Sequence, residues 1–243
     1  MSNTSMDTLN LKKLDITSLF NRGRTPTIII IGRRSKGKTT LIADILNNYK
    51  DVCGNGGDIV CGDSNSYSAF RADPSVIMHN EYTPRIIETV FIKKKTTVQS
   101  QTAALQEYKD NEDACHLLQK DAANSFLVLD NCLYDATYFR DRMLHRIFMN
   151  GFIWKIMLLL SIDYPVLISP VFQHNATHTF IFPDHDLSYR RHCWEKYANI
   201  LPSFKIYCDI VDSLQEHECL VIVRTVDASA TLDTQVFLYK SPR

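Results

Sequence analysis

The chain has 243 residues, of which 45% are hydrophobic and 22% charged, and Lys plus Arg equal Asp plus Glu at 27 each. This is the composition of a globular chain with a core of its own, and it excludes wholesale disorder. Zero net charge excludes a histone-like polycation but leaves room for a local basic patch. In chain order, residues 1–25 read as an N-terminal extension, polar and frayed over the first ten, and 26–243 as one domain. Apolar runs follow at 27–31, 59–61, 125–129, 156–161, 179–182, 219–223 and 235–239. They are rich in Ile, Val, Leu and Phe, and several lack alternation, as strands buried on both faces do. Helical patterns lie between them at 38–49, 84–94, 103–120, 138–149, 187–200 and 204–214. Strand alternating with helix predicts an α/β fold, a mostly parallel sheet flanked by helices, with the last two strands forming an antiparallel C-terminal edge. Gly54-Asn55-Gly56-Gly57 reads as a flexible loop.

Seven cysteines (Cys53, Cys61, Cys115, Cys132, Cys193, Cys208 and Cys219) form no Cys-x-x-Cys pair. An odd, scattered set argues against a disulfide framework or zinc ribbon and for a reducing compartment. The central apolar run 152–160 is broken by Lys155 and is far short of the about 20 residues of a membrane span. The N-terminus lacks the continuous apolar stretch of a secretory signal, so a protein that is not secreted is expected.

The sharpest signal is Gly32-Arg33-Arg34-Ser35-Lys36-Gly37-Lys38-Thr39, which fits G-x-x-x-x-G-K-[ST] at every fixed position. A strand pattern precedes it and a helix pattern, from Thr40 onward, follows. In that setting loop amides and a helix N-terminus cradle a polyphosphate, so Gly32 through Thr40 are the expected nucleotide-binding residues. Lys38 would reach the β and γ phosphates, and the Thr39 hydroxyl would ligate Mg²⁺. This predicts a P-loop NTPase that uses ATP and Mg²⁺. The bland alternative is a glycine-containing strand-to-helix turn without a ligand.

Ser125-Phe126-Leu127-Val128-Leu129-Asp130 describes a buried strand with a carboxylate at its tip. Alone it could be a helix cap; with the loop it places Asp130 beside the Mg²⁺ site. Asn131 follows, where many P-loop ATPases carry an acid. Asn can orient a water but cannot accept its proton.

These residues and those after them resemble the DNA-packaging ATPases of the nucleocytoplasmic large DNA viruses, within the FtsK–HerA group of ring-shaped translocases. Asp130-Asn131-Cys132-Leu133-Tyr134-Asp135 is similar to that family's Asp-Asp-Cys-(Leu/Met)-Tyr-Asp, and Phe148-Met149-Asn150-Gly151 to its next helix and turn. Tyr164-Pro165, the segment 209–222 and the last run 235–240 carry the likeness to the C-terminus. The resemblance implies ATP hydrolysis coupled to sequence-independent translocation of double-stranded DNA. It further implies a homo-oligomeric ring, such as a hexamer, and capsid or portal partners, in the host cytoplasm, viral factory or virion. It also exposes departures. Asn131 replaces an acid, Asp163 stands where the family has a Gln that senses the γ-phosphate, Phe152-Ile153 replaces Arg-His, and Gln173 replaces an Arg. The resemblance therefore makes Lys38, Asp130, Asn131 and Asp163 the expected catalytic residues. The departures keep a second reading open, a catalytically impaired, nucleotide-binding homologue with a structural or regulatory role. A small-molecule kinase shares the loop, but no clear Arg-rich lid string is present.

Weaker signals complete the reading. Lys93-Lys94-Lys95 is the leading DNA-facing candidate, against the plainer view of a solvated helix terminus. His174, His178 and His185 offer no helical i,i+4 pair with a nearby acid, so no histidine metal site is expected. Cys132 reads as a packed residue rather than a nucleophile.

Overall fold

A computed structural model describes residues 11–20, 25–53, 56–107, 124–135, 137–165, 168–225 and 229–242. The strands are β1 (Lys12–Lys13), β2 (Thr27–Ile31), β3 (Gly57–Cys61), β4 (Val76–His79), β5 (Ser125–Asp130), β6 (Ile156–Ile162), β7 (His178–Ile181), β8 (Glu218–Val223) and β9 (Val236–Lys240). The helices are α1 (Lys38–Cys53), α2 (Ser68–Arg71), α3 (Pro84–Glu107), α4 (Arg142–Asn150), α5 (Pro170–Asn175), α6 (Leu187–Tyr197), α7 (Phe204–Ser213) and α8 (Leu232–Gln235). The strands form one sheet in the order β1-β9-β8-β7-β2-β6-β5-β3-β4. Only β8 runs against its neighbours; every other pairing is parallel. The chain thus has the α/β P-loop architecture. The antiparallel pair β8–β9 stands near one margin, with β1 outside it.

The central strand explains the layering. In β2 all four isoleucines are fully buried, and a strand turns successive side chains to opposite faces. Ile28 and Ile30 join Leu41, Ile42, Ile45, Leu46 and Tyr49 of α1 on one face. Ile29 and Ile31 join Ile87, Leu144, Ile147, Phe172 and Tyr189, from α3 to α6, on the other. Each such side chain contributes about 1.5–3 kcal/mol by burial, which is why the strand is apolar from Ile28 to Ile31.

Several expectations change. The patterns 84–94 and 103–120 are not two helices in the described part, because α3 runs unbroken to Glu107; residues 108–120 lie outside it. No breaker intervenes, and Thr96, Thr97 and Thr102 satisfy their hydroxyls on carbonyls four residues back, at 3.0, 2.9 and 2.8 Å. Lys93-Lys94-Lys95 therefore sits within a helix rather than at its terminus. The pattern 138–149 is divided, since Asp141 leaves the helical path and caps α4 by accepting from the amides of Met143 and Leu144 at 2.6 and 3.1 Å. Gly57, expected in a flexible loop, opens β3, where an added Cβ would lie 2.1 Å from the Phe126 carbonyl oxygen; Gly54 and Asn55 lie outside the described residues. Within the segment expected as an extension, Lys12 and Lys13 pair with Phe237 and Leu238 of β9, and Ile16 and Leu19 are buried.

Candidate functional site

Residues 32–37 leave the C-terminal end of β2, between the ends of β6 and β7, and turn directly into α1. Crevices open at this place in doubly wound sheets. Ser35 (φ 62°) and Gly37 (φ 101°) take left-handed conformations that curl the loop, as in the amide nests that hold anions. Space demands glycine at position 32, and the left-handed backbone favours it at position 37. A Cβ on Gly32 would lie 2.8 Å from Phe182 Cβ, and one on Gly37 would meet Phe182 and His217 Nδ1 at 3.5 Å. Phe182 follows β7 and His217 precedes β8, so the loop is approached from the β7–β8 flank of the sheet.

Lys38 is 6% exposed. Its Nζ donates to the carbonyls of Gly32 and Arg33 at 2.7 and 3.2 Å and to Asp163 Oδ1 at 2.6 Å. Asp163, just past β6, also accepts from Asn131 Nδ2 at 3.1 Å and faces Arg34 Nε at 3.5 Å. Two cations and an amide thus converge on one carboxylate at the mouth of the loop. In charge and position Asp163 does for Lys38 what a phosphate oxygen would do.

Asp130, 8% exposed, ends β5 opposite Ser161 of β6. Its carboxylate accepts three hydroxyls: Thr39 Oγ1 at 2.8 Å, Tyr67 Oη at 2.8 Å, and Ser161 Oγ in a very short contact. Ser161 in turn accepts from the Asn131 amide at 2.9 Å. Tyr67 is fully buried, and burial, then the charge of Asp130, pushes its phenol well above the usual range, so it stays a donor. Tyr67 and Ser161 were not legible in the sequence. Tyr67 sits in a one-turn 3-10 segment after β3, and Ser161 resembles any small residue in an apolar strand. Burial, followed by Asp130, likewise pushes the Cys132 thiol up to about 12, which keeps it neutral.

The remaining candidates divide. Arg33 offers only its backbone to the loop. Its side chain pairs with Asp184 and Asp186 at 2.7 and 3.1 Å and lies over the Tyr189 ring. Lys36 is half-buried, and Ser35 and Thr40 are exposed at the loop mouth. Gln173 is not at a subunit surface; it is buried and donates to the Ile168 carbonyl at 2.7 Å, inside α5 and its approach. It therefore cannot stand in for an arginine that reaches a neighbouring chain. Among the described residues no three His, Cys, Asp or Glu side chains gather as a metal centre. A divalent ion here would rely on Thr39, Asp130, phosphate oxygens and water, as Mg²⁺ commonly does.

Asp163 yields a direct expectation. Anionic phosphates must displace it from Lys38, and like charge opposes their approach. Asp163→Asn should therefore tighten binding of a fluorescent ATP analogue by about tenfold. Affinity that stays level or falls would mean that Asp163 does not compete for Lys38.

No protein-family model matches the chain. It is similar to the uncharacterized protein 088R of Invertebrate iridescent virus 3, 23% identical over 244 residues that take in 97% of this chain and 86% of that one. It is 26% identical to the uncharacterized protein 075L of Invertebrate iridescent virus 6 over 227 residues, 92% of this chain and 80% of that one. Among solved structures, the genome packaging NTPase B204 of Sulfolobus turreted icosahedral virus 2 in complex with ATP-gammaS matches with a TM-score of 0.55. That match has 12% identity and covers 89% of this chain and 97% of that one. The pCW3 conjugation coupling protein TcpA with ATPgS matches with a TM-score of 0.60 at 12% identity, over 90% of this chain and 60% of that one. At these identities the likeness establishes a shared fold.

Proposed function

We propose that this chain binds ATP with Mg²⁺ and hydrolyses it as one subunit of a homo-oligomeric ring that drives double-stranded DNA into a viral capsid. Its place would be the host cytoplasm, viral factory or virion; no helix among the described residues is long and apolar enough to cross a membrane. The observation that carries the reading is the Thr39–Asp130 hydrogen bond of 2.8 Å, between residues 91 apart in sequence, at the mouth of a complete phosphate loop. P-loop ATPases use this pair of residue types to hold Mg²⁺. The fold shared with a genome packaging NTPase supports the assignment.

The chain's own groups divide the work. Loop amides from Gly32 to Thr40 orient the polyphosphate, and Lys38 leaves Asp163 to neutralise it. Thr39 and Asp130 would hold Mg²⁺, which would supply neutralisation of the phosphate charge. Tyr67 and Ser161 fix the Asp130 carboxylate. Asn131 is held at φ 48° above Ser161, where its amide can orient a water. Phosphate release measured across duplexes of increasing length tests the proposal, with release expected to rise with length. Nucleotide binding without release, at every length, would instead favour an impaired homologue, a reading supported by Asn131 and the Lys38–Asp163 pair.

The same geometry shows how turnover should respond to substitution. Asn131 Nδ2 lies 3.1 Å from Asp163, so Asn131→Asp alone would set two carboxylates against each other. The gain in rate is expected only when Asn131→Asp is combined with Asp163→Gln, and then by about 10²-fold from general-base action. A brisk parent enzyme that the double change leaves unaltered would remove Asn131 from the mechanism. Asn131→Ala is a poor probe, because the left-handed backbone there strains alanine.

For DNA the candidates are Lys93 and Lys95, both exposed, and the half-buried Lys94. Burial, then the charge of Lys155, lowers the Lys94 pKa, so α3 and the turn before β6 contribute to one positive patch. Replacing Lys93–Lys95 with Ala should flatten the plot of log affinity against log salt by nearly one unit for each phosphate that a lysine no longer neutralises, with ATP binding unchanged. An unchanged slope would place the DNA-binding surface elsewhere.

A further inference from the structure

The phosphate loop stands at the C-terminal ends of the parallel strands. At the opposite end of the sheet lies a half-open cavity of about 500 Å³ that no part of the nucleotide reading uses. Its floor is the start of β2 and β7 and the end of β8, and its walls come from the ends of α4, α5 and α6. The volume falls within the range of small-molecule pockets. Phe148, Phe152 and Ile200 give it an apolar wall, and Thr25, His174 and Arg224 give it polar corners.

Among the described residues that line the cavity, charge is one-sided: one Arg and two His, and no Asp or Glu. Arg224 is held in place by its backbone, whose amide donates to the Thr177 carbonyl at 2.8 Å. Its side chain is half-buried, and Nε is sealed from solvent without a hydrogen-bond partner among the described residues. Nor does any carboxylate of the described residues form a salt bridge with it. Burial draws the guanidinium below the usual arginine range, opposed in part by Tyr197. Thr25 Oγ1, also buried and lining the cavity, likewise has no hydrogen-bond partner among the described residues. Withdrawing a cation and a hydroxyl from water without partners is costly, and an incoming acceptor would recover that cost.

We propose that this cavity is a second binding site, specific for a monoanion with an apolar body, whose carboxylate pairs with Arg224 while its body lies against Phe148, Phe152 and Ile200. A single guanidinium matches one carboxylate charge, and the apolar wall does not suit a polyphosphate. The carboxylate could come from a free organic acid or from the C-terminus of a peptide chain. The site is independent of the phosphate loop.

Calorimetric titration of the full chain with 4-phenylbutyrate and its neutral amide, 4-phenylbutanamide, tests this. The acid should bind at about millimolar strength, as expected for so small a ligand, and the amide at least about tenfold more weakly. Saturating ATPγS should not displace the acid, which separates this outcome from any failure of the nucleotide assignment. Arg224→Met and Arg224→Gln, each checked for a cooperative thermal melt, should weaken the acid by at least about tenfold. Gly-Gly-Phe with a free or an amidated C-terminus identifies the source. Tighter binding of the free tripeptide than of 4-phenylbutyrate points to a chain end, and weaker binding points to a small acid. The proposal falls if acid and amide bind alike, if neither binds, or if both folded Arg224 variants retain the acid. It also falls if the acid binds Asp227→Asn but not the parent, since the chain's own carboxylate would then occupy the site; Asp227 lies outside the described residues.

Discussion

Lys38→Ala is expected to weaken ATP binding by about 10- to 100-fold, since one charge-assisted contact contributes about 1.5–3 kcal/mol. Hydrolysis should fall further, because the same ammonium meets charge that grows on the phosphates during transfer. The structure adds a second reason for a large effect. Lys38 is the close partner of Asp163, at 2.6 Å, so its removal leaves that carboxylate facing the phosphates with the neutral Asn131 amide and, among the described residues, the exposed Arg34 as its one remaining cation. The combination Lys38→Ala with Asp163→Asn should therefore recover part of the affinity missing from Lys38→Ala alone. Equilibrium titration of the parent, both single variants and the double variant gives the coupling between the two sites. Unchanged affinity in Lys38→Ala would count against the phosphate loop itself, and strictly additive effects would count against competition by Asp163.

Asp130→Asn should have a comparable effect by a different route. The carboxylate accepts hydroxyls from Thr39, Tyr67 and Ser161. An amide offers one acceptor oxygen and turns a donor toward groups that are themselves donors, so the buried network cannot be satisfied. Loss of the metal's charged neighbour should lower Mg²⁺-dependent hydrolysis by about 10³-fold, while ATP binding in EDTA changes little. Tyr67→Phe is the informative companion. It leaves Asp130 charged but removes one of its three supports, so it should raise the Mg²⁺ concentration needed for half-maximal rate without changing metal-free nucleotide binding. If Asp130→Asn hydrolyses ATP at the parent rate, the metal lies elsewhere.

How much of this could be read from the sequence depended on how local each cause was. The loop, β2 and α1 were legible because spacing, glycine and an apolar strand act within about 25 residues of one another. Asp130 was legible because an acid at the tip of an apolar run is a local signal. The partners that hold it were not. Tyr67 reaches Asp130 across 63 residues, and Ser161 does so through the β5–β6 register. The competition between Asp163 and phosphate was only half visible. Like-charge repulsion followed from the resemblance, which puts Asp163 where the family has a Gln, but the ion pair with Lys38 that offsets it required coordinates. The short strand β4 and the helix α5 escaped notice because neither has the length that reveals a period; β4 is only partly buried, as a marginal strand is. The position of Gln173 was legible only as a departure from the family's Arg; that its side chain turns inward from α5 to the Ile168 carbonyl depends on packing.

The pairing of Lys12 and Lys13 with β9 bears on how the molecule avoids its own kind. A bare strand at a sheet margin is a template for the next molecule's backbone, and open margins are where globular proteins begin to aggregate. Here a two-residue strand of exposed lysines shields β9, and any chain that tried to continue the sheet would meet adjacent positive charges and very little backbone to bond. At the other margin β4 is four residues long and ends in His79, whose ring meets Asp58 of β3 at 2.7 Å. Both margins of the described sheet are thus short strands, but only the β1 margin is charged, since β4 is apolar apart from His79 and exposes Ile77. Edge-to-edge pairing is therefore disfavoured most at β1, so copies of the chain crowded together would be expected to meet, if at all, along β4.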